Sequence, residues 1–161
     1  MISLTLPIQS WWRSSFNNWF FAQSCWEANP DVDTLLKEYY HAYYGEKAKE
    51  AEKIFHLIFT ALQKEPYSNT QEASEARLVQ AKSAGKQILH LLDEVIPQTQ
   101  DPLIRERFNR VKTYVEFSVL HCEAYASRKK EDLHRLMEYS RQHAEHSMVL
   151  MYPGYIGWVA E

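Results

Sequence analysis

The chain has 161 residues, 45% apolar and 14% aromatic, enough for one packed domain and too hydrophobic for a disordered one. Its net charge is -3, and its densest basic cluster, Arg128-Lys129-Lys130, runs straight into Glu131-Asp132, which argues against a nucleic-acid-binding face. Four glycines are too few for the turns of a β-sandwich or barrel, and no stretch reaches the ~20 apolar residues of a membrane span.

In chain order, residues 1 to 15 lack a basic start followed by an apolar run, so they do not read as a signal peptide. Residues 11 to 26 predict an aromatic helix with Trp12, Phe16, Trp19, Phe20 and Gln23 on one face. Trp11, Phe21 and Trp26 spill around its side, a surface that something must cover. The next helix has Asn29 as its cap, Pro30 in its first turn and Gly45 at its end, with Val32, Leu35, Leu36, Tyr39 and Tyr43 at helical spacing.

A third helix, from about Lys47 to Lys64, carries Ala48, Ala51, Phe55, Ile58 and Leu62. Residues 65 to 71 read as the longest loop. The fourth helix, from about Glu72 to Val95, aligns Leu78, Ala81, Gly85, Ile88 and Leu92. Gly85 on that stripe marks a close helix contact, because an exposed glycine would only weaken the helix.

Asp101 and Pro102 then cap and open a fifth helix with Ile104, Phe108, Val111, Val115, Ser118, Cys122 and Tyr125 on one face. A sixth, from about Glu131 to Met151, shows Leu133, Met137, Ser140, Ala144, Met148 and Met151. The whole is read as one all-α domain, an antiparallel bundle of about six helices over residues 29 to 151, with the aromatic helix before it and an aromatic tail, 152 to 161, after it. Phe55, Ile58, Leu78, Ile88, Phe108, Val115 and Leu133 are its expected core. Both cysteines, Cys25 and Cys122, read as buried free thiols outside any C-x-x-C pattern.

Few residues carry recognisable chemistry. Glu38-Tyr-Tyr-His41 and Glu131-Asp-Leu-His134 have the Glu-x-x-His spacing of a di-iron bundle. Acids and histidines this abundant produce such pairs by chance, however, and the apolar stripe leaves Glu131 and His134 at the core's edge. His143-Ala-Glu-His146 is not the zinc-protease spacing, and His121 and Glu123 point to different sides of a helix. Glu116, Glu123 and Glu138 are not paired across any evident cleft, as glycoside hydrolysis requires. No cofactor or metal is expected. Trp11, Trp12, Tyr155 and Trp158 are the candidate binding residues, as aromatic faces that stack on sugar rings or on protein.

Trp26, Asn29-Pro30, Asp33, Leu35-Leu36, Tyr39-Tyr40, Tyr43-Tyr44-Gly45 and Ala48 together resemble a signature of large bacterial glycoside-hydrolase-like proteins. These have a TIM barrel similar to family 20 hexosaminidases and to α-glucuronidases, and the signature opens the helical domain that follows it. The resemblance covers about residues 16 to 62, and the chain departs from it in placing two extra residues between Trp26 and Asn29. It implies that this chain is a non-catalytic helical module of a carbohydrate-active protein, with a TIM-barrel domain or a glycan as partner. Catalytic carboxylates of such barrels lie at strand ends, so none maps here. The alternative is a free-standing protein–protein interaction domain, with self-association through the aromatic helix. The resemblance implies export if the chain is part of a larger hydrolase, whereas a free-standing chain would be cytoplasmic.

Overall fold

The structure, a computed structural model, describes residues 15–25, 31–62 and 71–143. It is an all-α antiparallel bundle, with no strand among the described residues. The helices are α1 (Ser15–Ser24), α2 (Val32–Tyr44), α3 (Ala48–Leu57), α4 (Gln71–Gln98), α5 (Pro102–Ser127) and α6 (Lys130–Gln142). A 3₁₀ turn, Gly45–Lys47, leads into α3, and one π turn, Ile58–Leu62, extends it.

Local chemistry explains the helix ends. Asp31 caps α2, its carboxylate accepting from the Asp33 N–H at 3.3 Å and the Thr34 hydroxyl at 2.5 Å. The Thr34 bond, above all, holds that carboxyl below the ordinary aspartate range. Gly45 ends α2 in a conformation with φ of 54°, its N–H returning to the His41 carbonyl. A Cβ there would lie 3.1 Å from Ile104 Cδ1, so the glycine answers both to backbone strain and to close packing. At the other sharp corner the Asp101 carboxylate accepts from Leu103 N at 2.8 Å and Ile104 N at 3.3 Å, while Pro102 opens α5. Thr99, buried before it, donates its hydroxyl to the Val95 carbonyl at 2.8 Å and closes the end of α4.

The helix pairs run antiparallel. From Asp93 through Gly85 to Lys82 down α4, the facing residues on α5 rise from Lys112 through Val119 to Glu123. At Gly85 the two backbones come so close that an added Cβ would overlap the Val119 methyl Cγ2. The core around this hairpin contains Ile88, Leu92 and Val95 of α4, Phe108, Val111 and Val115 of α5, and Ala51, Ile54 and Ile58 below them. α2 enters with Tyr39, Tyr40 and Tyr44, all buried, and the Tyr44 ring lies 4.8 Å from that of Phe108. Arg107 of α5 sits 3.8 Å over the Tyr43 ring and donates to the Tyr43 carbonyl, an acceptor that the end of α2 leaves without a helical partner. A separate small cluster, Phe117, Ala124 and Leu136, seats α6 on α5.

Several expectations need correction. Phe55 and Leu133 are half-buried, and the residue that α6 buries is Leu136. Tyr43, Ser118 and Tyr125 are also half-buried, and Val32 is 47% exposed. α2 is capped by Asp31 and begins at Val32, where Asn29 as cap and Pro30 in the first turn were expected. The continuation of α6 to Met151 and residues 65 to 70 of the loop lie outside the described residues. α4 runs past Val95 to Gln98, carrying Pro97 in its last turn, and the helix stops one residue after it. Cys25 is exposed, against the expectation of a buried thiol; Cys122 is buried.

Replacing Gly45 with valine is expected to lower stability by about 1 kcal/mol or more, because a β-branched residue fits poorly at positive φ. Chemical denaturation of the variant checks this; an unchanged midpoint would show that α2 does not depend on the left-handed turn.

Candidate functional site

Three helices meet around a groove of about 750 Å³. α4 contributes Glu75, Leu78, Val79 and Lys82; α5 contributes Cys122, Glu123, Ala126 and Ser127; α6 contributes Asp132 and Arg135. Its floor is apolar because Leu78 and Cys122 belong to the core stripes of their helices, and its rim is charged because the next positions round each helix face water.

The rim charges form a chain. Lys82 Nζ lies 2.9 Å from Glu123 Oε1, Arg135 lies 3.9 Å from Glu123 Oε2, and Arg135 also lies 3.4 Å from Asp132. A hydrogen bond from the Ser127 side chain, followed by the charge of Arg135, holds the Asp132 carboxyl below its ordinary range. Glu123 therefore faces two cations, an arrangement that ties α4 to α6 across α5. Pairs this open to solvent each contribute up to about 1 kcal/mol. They serve assembly, with both Glu123 oxygens engaged by cations from the neighbouring helices.

The neighbouring polar cluster sits two turns back along α5, at Glu116. Tyr139 of α6 donates its hydroxyl to Glu116 Oε2 at 2.5 Å, and its ring stacks on His143 with centroids 4.1 Å apart. Burial, then the Glu116 carboxylate, pushes the Tyr139 hydroxyl well above its ordinary range, so it remains a donor at physiological pH. Glu138 bonds Arg141 at 2.8 Å and Gln142 at 3.1 Å on the exposed face. The three acids weighed for glycoside cleavage are thus each engaged in holding helices or a helix surface.

The other sequence candidates disperse. Glu38 and His41, and Glu131 and His134, all lie on exposed faces, and no group of three metal-ligating side chains comes together among the described residues. His121 is half-buried against Phe117, with ring centroids 6.2 Å apart, and burial pulls its pKa below the ordinary value. Trp11, Trp12, Tyr155 and Trp158 lie outside the described residues. Of the aromatic helix, Trp19 is half-buried with its ring 5.8 Å from that of Tyr39, while Phe21 is 44% exposed.

Sequence reasoning did not find the groove or its Lys82–Glu123–Arg135 chain. The partial signal was there: once α4 and α5 pair antiparallel through Gly85, Lys82 falls opposite Glu123. Compared with known proteins, the chain matches no family model, no curated protein and no solved structure.

The two thiols are expected to behave differently. Cys25 is exposed and reacts with a thiol reagent at once; Cys122 is buried, and burial together with the Glu123 charge pushes its thiol up, so it reacts only on unfolding. Counting thiols released to a chromogenic disulfide before and after denaturant checks this, with one expected in the folded state and both afterwards.

Proposed function

We propose that this chain is a non-catalytic helical module of a glycoside-hydrolase-like, carbohydrate-active protein, supporting an adjoining barrel or helping to hold a glycan. The observation that supports it is the placing of the residues that carry the resemblance. Leu35, Tyr39, Tyr40, Tyr44 and Ala48 are buried, and Gly45 makes the turn between α2 and α3. The motif is framework, as expected of a phrase that opens a helical domain. Glu116, Glu123 and Glu138, engaged as described, are part of the same framework.

A second reading, a free-standing interaction domain, is favoured by Phe21 and Val32, exposed at 44% and 47% on the paired helices α1 and α2. An apolar pair outside the core is what a docked protein surface would cover.

Chromogenic hexosaminides and glucuronides, with affinity electrophoresis through gels containing chitin or xylan fragments, separate these readings. The module reading predicts no turnover and a slowed migration in one of the glycan gels. Turnover that survives repurification and is lost in Glu116→Gln would overturn the non-catalytic assignment. Unslowed migration, with self-association abolished by Phe21→Ser, would decide for the interaction domain.

A further inference from the structure

Of the two corners that flank α5, only one is locked. Between α4 and α5, Pro102 has no N–H with which to continue a helical ladder, and its ring disfavours a helical residue before it. Between α5 and α6 the chain reverses over Arg128 and Lys129, with neither glycine nor proline from Ser118 to Gln142. Arg128 makes this turn at φ 52° and ψ 21°, the one non-glycine residue in the left-handed region among the described residues. Arginine and lysine are good helix formers, and an L side chain with a Cβ is strained there.

Among the described residues, α6 is seated by a small cluster, Leu136 on Phe117 and Ala124 with Leu120 and Tyr139 against them. Leu136 is its one buried residue, in a cluster separate from the main core. Around it stand the Tyr139–Glu116 hydrogen bond and the long Arg135–Glu123 pair.

We propose that α6 exchanges between two copies of this chain. Arg128 and Lys129 become helical, α5 and α6 join into one helix from Pro102 to Gln142, about 60 Å long at 1.5 Å per residue, and each α6 seats on the other copy's α5. Leu136, Tyr139 and Arg135 keep the same partners, now supplied by the second copy. The straight helix also pairs backbone groups that the corner leaves without helical partners: the N–H groups of Lys129, Lys130 and Glu131 reach the carbonyls of Tyr125, Ala126 and Ser127. Lost are the strain at Arg128, the bond that the Lys129 N–H donates to the Ser127 hydroxyl, 3.2 Å in the folded-back corner, and the Ser127 side-chain bond to Asp132. Because the α5–α6 contacts are equal in both forms, corner strain and chain concentration set the balance, a low-cost route to a dimer. This proposal needs no second protein.

The test concentrates the full chain in mild denaturant, dilutes it into buffer and separates species by size-exclusion chromatography with light scattering. Wild type is expected to give a dimer whose fraction rises with concentration, with the amides of 129–131 protected from hydrogen exchange in the dimer only. Lys130→Pro fits the folded-back corner, since it opens α6 and Lys129 before it is extended at φ -87° and ψ 139°. It blocks the straight helix, so the dimer fraction should fall at least about tenfold. Arg128→Gly relieves the corner and should lower the dimer in the same direction. A wild-type chain that stays monomeric overturns the proposal, and so does a dimer that persists in both variants.

Discussion

The approach of α4 and α5 at Gly85 is the constraint on which the other packing depends. Two helices whose backbones are held apart by side chains could not place Ile88 and Leu92 against Val111 and Val115 without leaving space between them. Only hydrogen stands at position 85, so the Val119 methyl fills the room that a Cβ would take. The π turn after α3 rests on the same contact, since Leu62 Cδ1 lies 3.6 Å from where that Cβ would be. The groove follows from it as well, because one turn further along the pair Lys82 and Cys122 open its floor and rim.

Onto this hairpin the remaining helices dock by different chemistry. α2 arrives with aromatic rings, Tyr44 on Phe108 and Tyr39 on Trp19, and is fastened at its end by the Arg107 guanidinium. Tyr44 is buried deeply enough that its hydroxyl is pushed well above the ordinary tyrosine range and stays protonated. α6 arrives with one leucine, one tyrosine and a set of exposed ion pairs. The bundle therefore has a firm half, α2 to α5, and a weaker appendage, in line with the rule that opening free energy follows buried apolar contact. The polar features divide along the same line: the tyrosines of α2 lie in the firm half, and the charged groove and unlocked corner lie where α6 joins.

Much of this was legible in the chain. The α5 stripe Ile104, Phe108, Val111, Val115 and Cys122 is buried as its spacing requires, and Asp101, Pro102, Gly45 and Gly85 do what their chemistry dictates. The facing of α6 was misjudged by about one residue of rotation because it offers few apolar residues, so Leu133 and Met137 competed with Leu136 and Tyr139 for the inward face without a stripe long enough to decide. The π turn has no side-chain signature, since it is a change of backbone pairing. Cys25 was misplaced because thiol burial is a statistical tendency, and the end of a short helix overrides it. The Lys82–Glu123–Arg135 chain needs the register of three helices at once, which no single stretch records. As for the candidate site, its floor was legible as core, while its rim was not.

A double-mutant cycle at Gly85 and Val119 tests the central claim most directly. In an ordinary helix interior Gly→Ala stabilises by up to about 1 kcal/mol. If the close approach governs the bundle, Gly85→Ala should instead destabilise it by about 1 kcal/mol, the overlap outweighing the helical gain. In a Val119→Ala background the same change should become neutral or stabilising, because the obstructing methyl is gone. Denaturant midpoints of the four proteins give the answer. A Gly85→Ala variant more stable than wild type, with no coupling to Val119, would contradict the account.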